Sequence, residues 1–157
     1  MFGSPDFSRV LGNTLILAGL NVVFVFPAPI VVALLLNEVR LSVLKRAVQS
    51  AIYIPHFLSW TIVASLTYLL FSADFGVLAG FIHDVIGGQR TDYVAQEDWF
   101  RPLIILQLLW KQTGWGTIIY LAALAGVDQQ LYEAARVDGA GRWRLLWHIT
   151  LPAIRPA

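Results

Sequence analysis

The chain contains no cysteine and a single methionine. It therefore has no disulfide framework, no thiolate nucleophile and no cysteine-bound metal. Charge is also scarce, at 13% of 157 residues, where a soluble domain carries about 25%. A formal net charge of +1 provides no basic field to hold a nucleic acid. With 57% hydrophobic residues, the chain is not of the disordered class either.

The scarcity is local. Three windows, Val10–Leu36, Val48–Ala73 and Pro102–Val127, hold one formal charge between them, Lys111. An apolar stretch of about 20 residues crosses a hydrocarbon layer as a helix, and each window is longer than that. A helix with no polar side needs an apolar surround, and a soluble chain of this length could not wrap three of them. The runs are continuous rather than alternating, which excludes a membrane β-barrel. The expected fold class is all-α integral membrane, with three transmembrane helices in one unit spanning 1–157. The start, MFGSPDFSRV, is mixed in charge, and the apolar run after it is too long for a signal-peptide core. The first window thus reads as a retained span.

Within the spans, Pro27 and Pro29 each remove a backbone donor and are expected to kink the first one. Thr14 and Asn21 share a face. Pro55 falls in the first turns of the second span, and Thr61 and Ser65, one turn apart, are expected to pack against another helix. His56 reads as an interfacial hydrogen-bonding residue. Between 74 and 101 five acidic residues face Arg90 and Arg101, with turn signals at Gly76 and Gly87-Gly88. Phe75–Ile86 is apolar enough for a short interfacial helix, and Trp99 and Phe100 suit an interface anchor. The link 37–47 carries three basic residues and the tail 128–157 four, against one before the first span and two in the acidic loop. That bias places the link and tail in the cytoplasm and the acidic loop outside. An outside amino terminus without a cleaved signal suggests the middle of something larger.

Lys111 is the only charge within a span, and an intramembrane ionisable residue is a functional candidate by default. With Gln107 and Gly114 it forms one helical stripe, for use in a pathway or a helix interface together with Asn21. The alternative is a long side chain that snorkels outward. His83-Asp84 reads as a solvated loop pair, since no second ligand sits at metal spacing. No nucleophile–base–orienter set can be assembled and no GxxxxGK[ST] loop is present, so the chain should not be an enzyme.

The tail carries the most specific pattern. Asp128 can cap a helix from Gln129 to Asp138, and Gly139 can supply a left-handed reversal. A second helix is expected over Ala140–Thr150, with Trp143, Leu146, Trp147 and Thr150 on one face and Pro152 ending it. That face could meet a protein or lie on the membrane surface. Glu133-Ala134-Ala135, then three residues, Gly139, nine residues, and Ile149-Thr150-Leu151-Pro152 resemble the EAA loop of permease subunits in binding-protein-dependent ABC importers. In that family the pattern is EAA-x3-G-x9-I-x-LP. Leu131-Tyr132 and Asp138-Gly139-Ala140 are similar to the sugar and oligosaccharide branch. Asn13-Thr14-Leu15, Pro55, Phe75-Gly76-Val77-Leu78, Trp110, Gly114 and Tyr120-Leu121-Ala122 agree in order.

The resemblance implies a MetI-like helical bundle of six spans, of which this chain would hold three and the cytoplasmic EAA loop at 128–153, with both ends truncated. It implies a multi-pass protein of a bacterial or archaeal inner membrane. Glu133, Ala134, Ala135, Asp138, Gly139, Ala140, Ile149, Leu151 and Pro152 would form a loop that docks on a cytoplasmic ABC ATPase dimer. Further partners implied are a second permease subunit, an extracytoplasmic solute-binding protein, membrane lipid and a sugar-type solute. No cofactor is expected on this chain, ATP and magnesium being held by the ATPase. Two alternatives remain: a fragment of an ion-coupled secondary transporter, disfavoured by spans without Asp or Glu, and a non-transporting membrane scaffold.

Overall fold

The computed structural model describes residues 5–39, 41–74, 76–86 and 92–154. Arg40, Phe75, Gly87, Gly88, Arg90 and Arg155, used in the sequence reading, lie outside the described residues. Among those described, regular structure is entirely helical. Helix α1 (Pro5–Leu20) continues through a widened π turn at Asn21–Val25 into α2 (Pro27–Glu38). Pro27 and Pro29 lack the amide hydrogens that a regular turn would use. The backbone instead bonds Phe26 N to Asn21 O at 3.0 Å. The expected kink is thus absorbed by an inserted residue, and Asp6–Glu38 remains one 33-residue helix apolar enough to cross a membrane. Its flanks are open: Val10, Leu15, Val22 and Leu35 are all more than 60% exposed. Such a surface needs lipid or neighbouring helices around it.

The second window is not one straight helix. It comprises α3 (Ser42–Tyr53), a tight 3-10 turn at Ile54–Phe57, and α4 (Trp60–Phe71), and the two halves are bent by 104°. Pro55 sits in that turn, and Ser59 restarts the chain by accepting a hydrogen bond from Ile62 N at 3.3 Å, the service of an N-cap. Together the halves pass as a broken span or a re-entrant loop. Thr61 and Ser65 are exposed, contrary to the packing expected of them. The buried pair is Val63 and Thr67, two residues further on.

Helix α5 (Val77–Ile86) fills the place of the short interfacial helix. Gly76 is needed before it, because a Cβ there would collide with the Ser72 carbonyl oxygen. Helix α6 (Glu97–Ala125) starts five residues before the third window, with Glu97 and Asp98 favouring its positive end. It is long enough to cross a bilayer, but Gln107, Lys111 and Gln112 keep it outside the apolar class that Asp6–Glu38 meets.

Helix α6 is the common post of the fold, contacted by α2, α3, both irregular turns and the tail. It runs parallel to α1–α2. At one end Arg9 faces Glu97 at 3.8 Å and Arg101 Nε donates to Asn13 Oδ1 at 3.0 Å. At the other, Ala33, Leu124 and Ile154 form a buried cluster, joined by Leu151 and Tyr120. The basic link and the basic tail therefore leave the bundle at the same end.

Candidate functional site: a cavity at two helix breaks and a tail loop

Both irregular turns meet α6 within two turns of its length. On one side, Thr117 is fully buried and its hydroxyl donates to Thr113 O at 2.7 Å and lies 3.4 Å from Pro29 O. Gly116 lets the Pro29 ring approach, since a Cβ there would be 2.7 Å from Pro29 Cγ. On the other, Gly114 is buried against the last turn of α3, where a Cβ would fall on the Ile52 carbonyl oxygen.

Lys111 is 8% exposed and does not snorkel. Its ammonium donates to His56 O at 2.7 Å and to Leu58 O, and it lies 5.4 Å from the centre of the Trp60 ring. These carbonyls are left without helical partners where the chain turns between α3 and α4. The neighbouring Gln107 donates to Thr67 Oγ1 on α4 at 2.8 Å. The stripe Gln107, Lys111, Gly114 thus faces the broken element along its whole length.

Between the two breaks lies a cavity of ≈ 570 Å³. Its wall includes Asn21 and Pro29 from the first span, His56 and Trp60 from the second, and Lys111, Gln112, Trp115 and Tyr120 from α6. Of the pathway candidates, Asn21 and Lys111 line it, while Gln107 and Gly114 do not. His56, expected near a span end, is at the break. Its ring stacks on Trp115 at 4.5 Å and 8°, and its buried Nδ1 has no hydrogen-bond partner. Trp115 is not marked by any sequence pattern, and Tyr120, part of the family resemblance, and Trp60 carried no sign of their own there that they would line a cavity. Their signal was the proline pattern: Pro27-x-Pro29 and Pro55 mark the turns around which the cavity forms.

The tail builds a second site. Asp128 Oδ1 accepts from Gln130 N at 2.9 Å and starts α7 (Gln129–Val137). Gly139 stands at φ 76, Ala140 N bonds Ala135 O at 2.9 Å and Gly139 N bonds Arg136 O at 3.0 Å. These are the paired bonds of a Schellman C-cap. The helix after Gly139 differs from expectation. It begins at Arg142, as α8 (Arg142–Leu145), widens into a π turn at Leu146–Thr150 and continues as α9 (Leu151–Ile154). Pro152 does not end it, because the wider turn absorbs the missing amide as it does before Pro27.

Tyr132 Oη and Thr150 Oγ1 lie 3.1 Å apart, tying α7 to the second helix. The expected apolar face divides: Thr150 is buried, Leu146 half-buried, and Trp143 and Trp147 are 75% and 63% exposed. Glu133, Ala134, Asp138 and Pro152 are exposed; Ala135, Ala140, Ile149 and Leu151 are half-buried. His83 Nδ1 and Asp84 Oδ1 pair at 3.0 Å on the surface, and no metal-binding group occurs among the described residues.

Residues 25–157 match the family described as the inner membrane component of binding-protein-dependent transport systems. The chain is 58% identical over 98% of its length to Protein LplB of Bacillus subtilis, 48% of which it covers. To the polygalacturonan/rhamnogalacturonan transport system permease protein YteP of the same species it is 54% identical over 99% of its length, covering 48% of that protein. The chain spans about half the length of the curated relatives it matches. Among solved structures, a bacterial ABC transporter involved in the import of the acidic polysaccharide alginate superposes with a TM-score of 0.94 at 44% identity, over 99% of this chain and 54% of that one.

Proposed function

We infer the function of this chain from its family, for it belongs to the inner membrane components of binding-protein-dependent transport systems. It is a multi-pass permease subunit of an importer for a sugar or oligosaccharide. This reading is supported by relatives named as permeases for lactose and arabinooligosaccharides and by the alginate transporter. The partners are a second permease subunit and a solute-binding protein outside the membrane. A related alginate transporter is described in complex with a saccharide-bound periplasmic protein. ATP and magnesium belong to a separate cytoplasmic ATPase, and the family is one of transport components, not of enzymes.

One observation carries the reading: the tail loop is stiff internally and fastened to the spans. The Schellman cap fixes its reversal and the Tyr132–Thr150 contact joins its two helices. Ile154 then seats the loop on Ala33 of α2 and Leu124 of α6. The exposed Glu133-Ala134 face can dock on an ATPase cleft, and movement of that cleft passes to α2 and α6, which wall the cavity. Such coupling requires the loop to bind one ATPase state differently from the other. The aromatic rings and amides of the cavity suit a saccharide, whose apolar faces stack and whose hydroxyls hydrogen-bond.

The test is co-purification of the full-length protein with its ATPase, with and without Gly139→Asp. The variant should insert in the membrane, lose the ATPase and abolish uptake. Normal uptake by the variant, or no ATPase bound to the parent protein, would remove the docking assignment.

A further inference from the structure

A helix broken in mid-membrane leaves carbonyl groups without intrahelical partners, and hydrocarbon offers none. Here the break between α3 and α4 leaves His56 O and Leu58 O so placed, and both accept from the Lys111 ammonium. The negative end of a helix favours a cation, and charge-assisted bonds are roughly twice as strong as neutral ones. Lys111 has no carboxylate partner among the described residues, since neither ion pair there includes it. Its charge is balanced by backbone dipoles and the Trp60 face. Gly114, one turn along, brings α6 into contact with the Ile52–Tyr53 backbone, so the lysine reaches the break from a fixed base.

The residues bonded to Lys111 through their carbonyls are those that present the cavity wall. His56 carries its ring onto Trp115, and Leu58 leads through Ser59 to Trp60. We propose that Lys111 is a positioning residue: its ammonium caps the open carbonyls of the broken span and thereby fixes His56 and Trp60 in the wall of the cavity. The lysine acts through the backbone and is not a solute ligand. The part of this inference that concerns uptake rests on the transport reading above; the structural part does not.

Hydrogen exchange and solute uptake, measured on the full-length protein in membranes or nanodiscs, separate the two. In Lys111→Met, which keeps the length of the stem, amides in the peptide covering 54–60 should exchange about tenfold faster, as loss of a charge-assisted hydrogen bond would produce. Peptides from the tail loop at 128–150 should be unchanged. In Lys111→Arg the 54–60 peptide should keep its parental protection. Uptake should follow the same order, lost in the methionine variant and substantially retained in the arginine one. Unchanged exchange at 54–60 in Lys111→Met would overturn the proposal whatever uptake does. So would equal acceleration in both variants, since a packing defect and not a missing cation would then be the cause. Faster exchange with normal uptake would keep the cap but sever it from transport.

Discussion

A methyl group on Gly114 would fall on the Ile52 carbonyl oxygen and lie 2.6 Å from its carbon. The obstacle is backbone on both sides and cannot rotate away, so Gly114→Ala must push α3 from α6. Overpacking of this kind costs about 1–3 kcal/mol, and here it also withdraws the carbonyls that Lys111 holds. We expect a lower melting temperature of the purified protein and loss of uptake. Gly12→Ala, where nothing lies within 4 Å, should leave both unchanged, and equal behaviour of the two variants would refute the close approach. Gly139 is different again, with open space around it but φ at 76. Gly139→Ala should cost about 1–2 kcal/mol of local strain and reduce ATPase binding without altering insertion.

At the scale of elements, the tail loop depends on a side-chain contact that no motif contains. Tyr132→Phe removes the hydroxyl that meets Thr150 while keeping the ring, and one neutral hydrogen bond contributes about 0.5–1.5 kcal/mol. The helix caps at Asp128 and Gly139 are untouched. The variant should therefore still bind the ATPase but couple poorly, with ATP hydrolysis less stimulated by solute and uptake reduced several-fold. Loss of binding itself would mean that the contact builds the docking face and does not transmit from it. Asp128 and Gly139 were readable in the sequence because caps are local: one side-chain oxygen, one positive φ. The continuation of helix past Pro152 and through Pro27 was not, since a π turn that absorbs a proline looks the same in sequence as a break that yields to one. Pro55 shows the opposite outcome with the same residue type. What decides is the partner on α6: Gly116 and Thr117 accept a bulging helix, while Gly114 and Lys111 accept a chain that turns through 104°. Thr61 and Ser65 misled for the same reason, as the turn at Ile54–Phe57 resets which face of α4 meets α6.

For the whole molecule, the arrangement of ends makes a claim about sides of the membrane. Contacts at Arg9–Glu97 and Asn13–Arg101 put the start of α1 beside the start of α6, and the cluster at Ala33, Leu124 and Ile154 gathers the opposite ends with the tail. The broken element runs between these ends, since α3 meets α6 at Gly114, α4 meets it at Gln107, and Tyr93 N bonds Phe71 O beyond α4. Sequence charge and folded geometry thus agree that link and tail share a side. Single cysteine reporters can be placed in this stretch without removing any native cysteine from it, on a full-length background free of other cysteines. Leu44→Cys in the link helix and Val137→Cys in the tail, both at exposed positions, should react with a membrane-impermeant maleimide only in inverted vesicles. Val94→Cys in the acidic loop should react only in right-side-out ones. Labelling of positions 44 and 94 from one side would mean that α3 and α4 form a re-entrant loop, dipping in and returning, and that the cavity opens to one face. Labelling from opposite sides makes them a broken span, with the Lys111-capped turn within the membrane and the cavity placed where a pathway would change the side it faces.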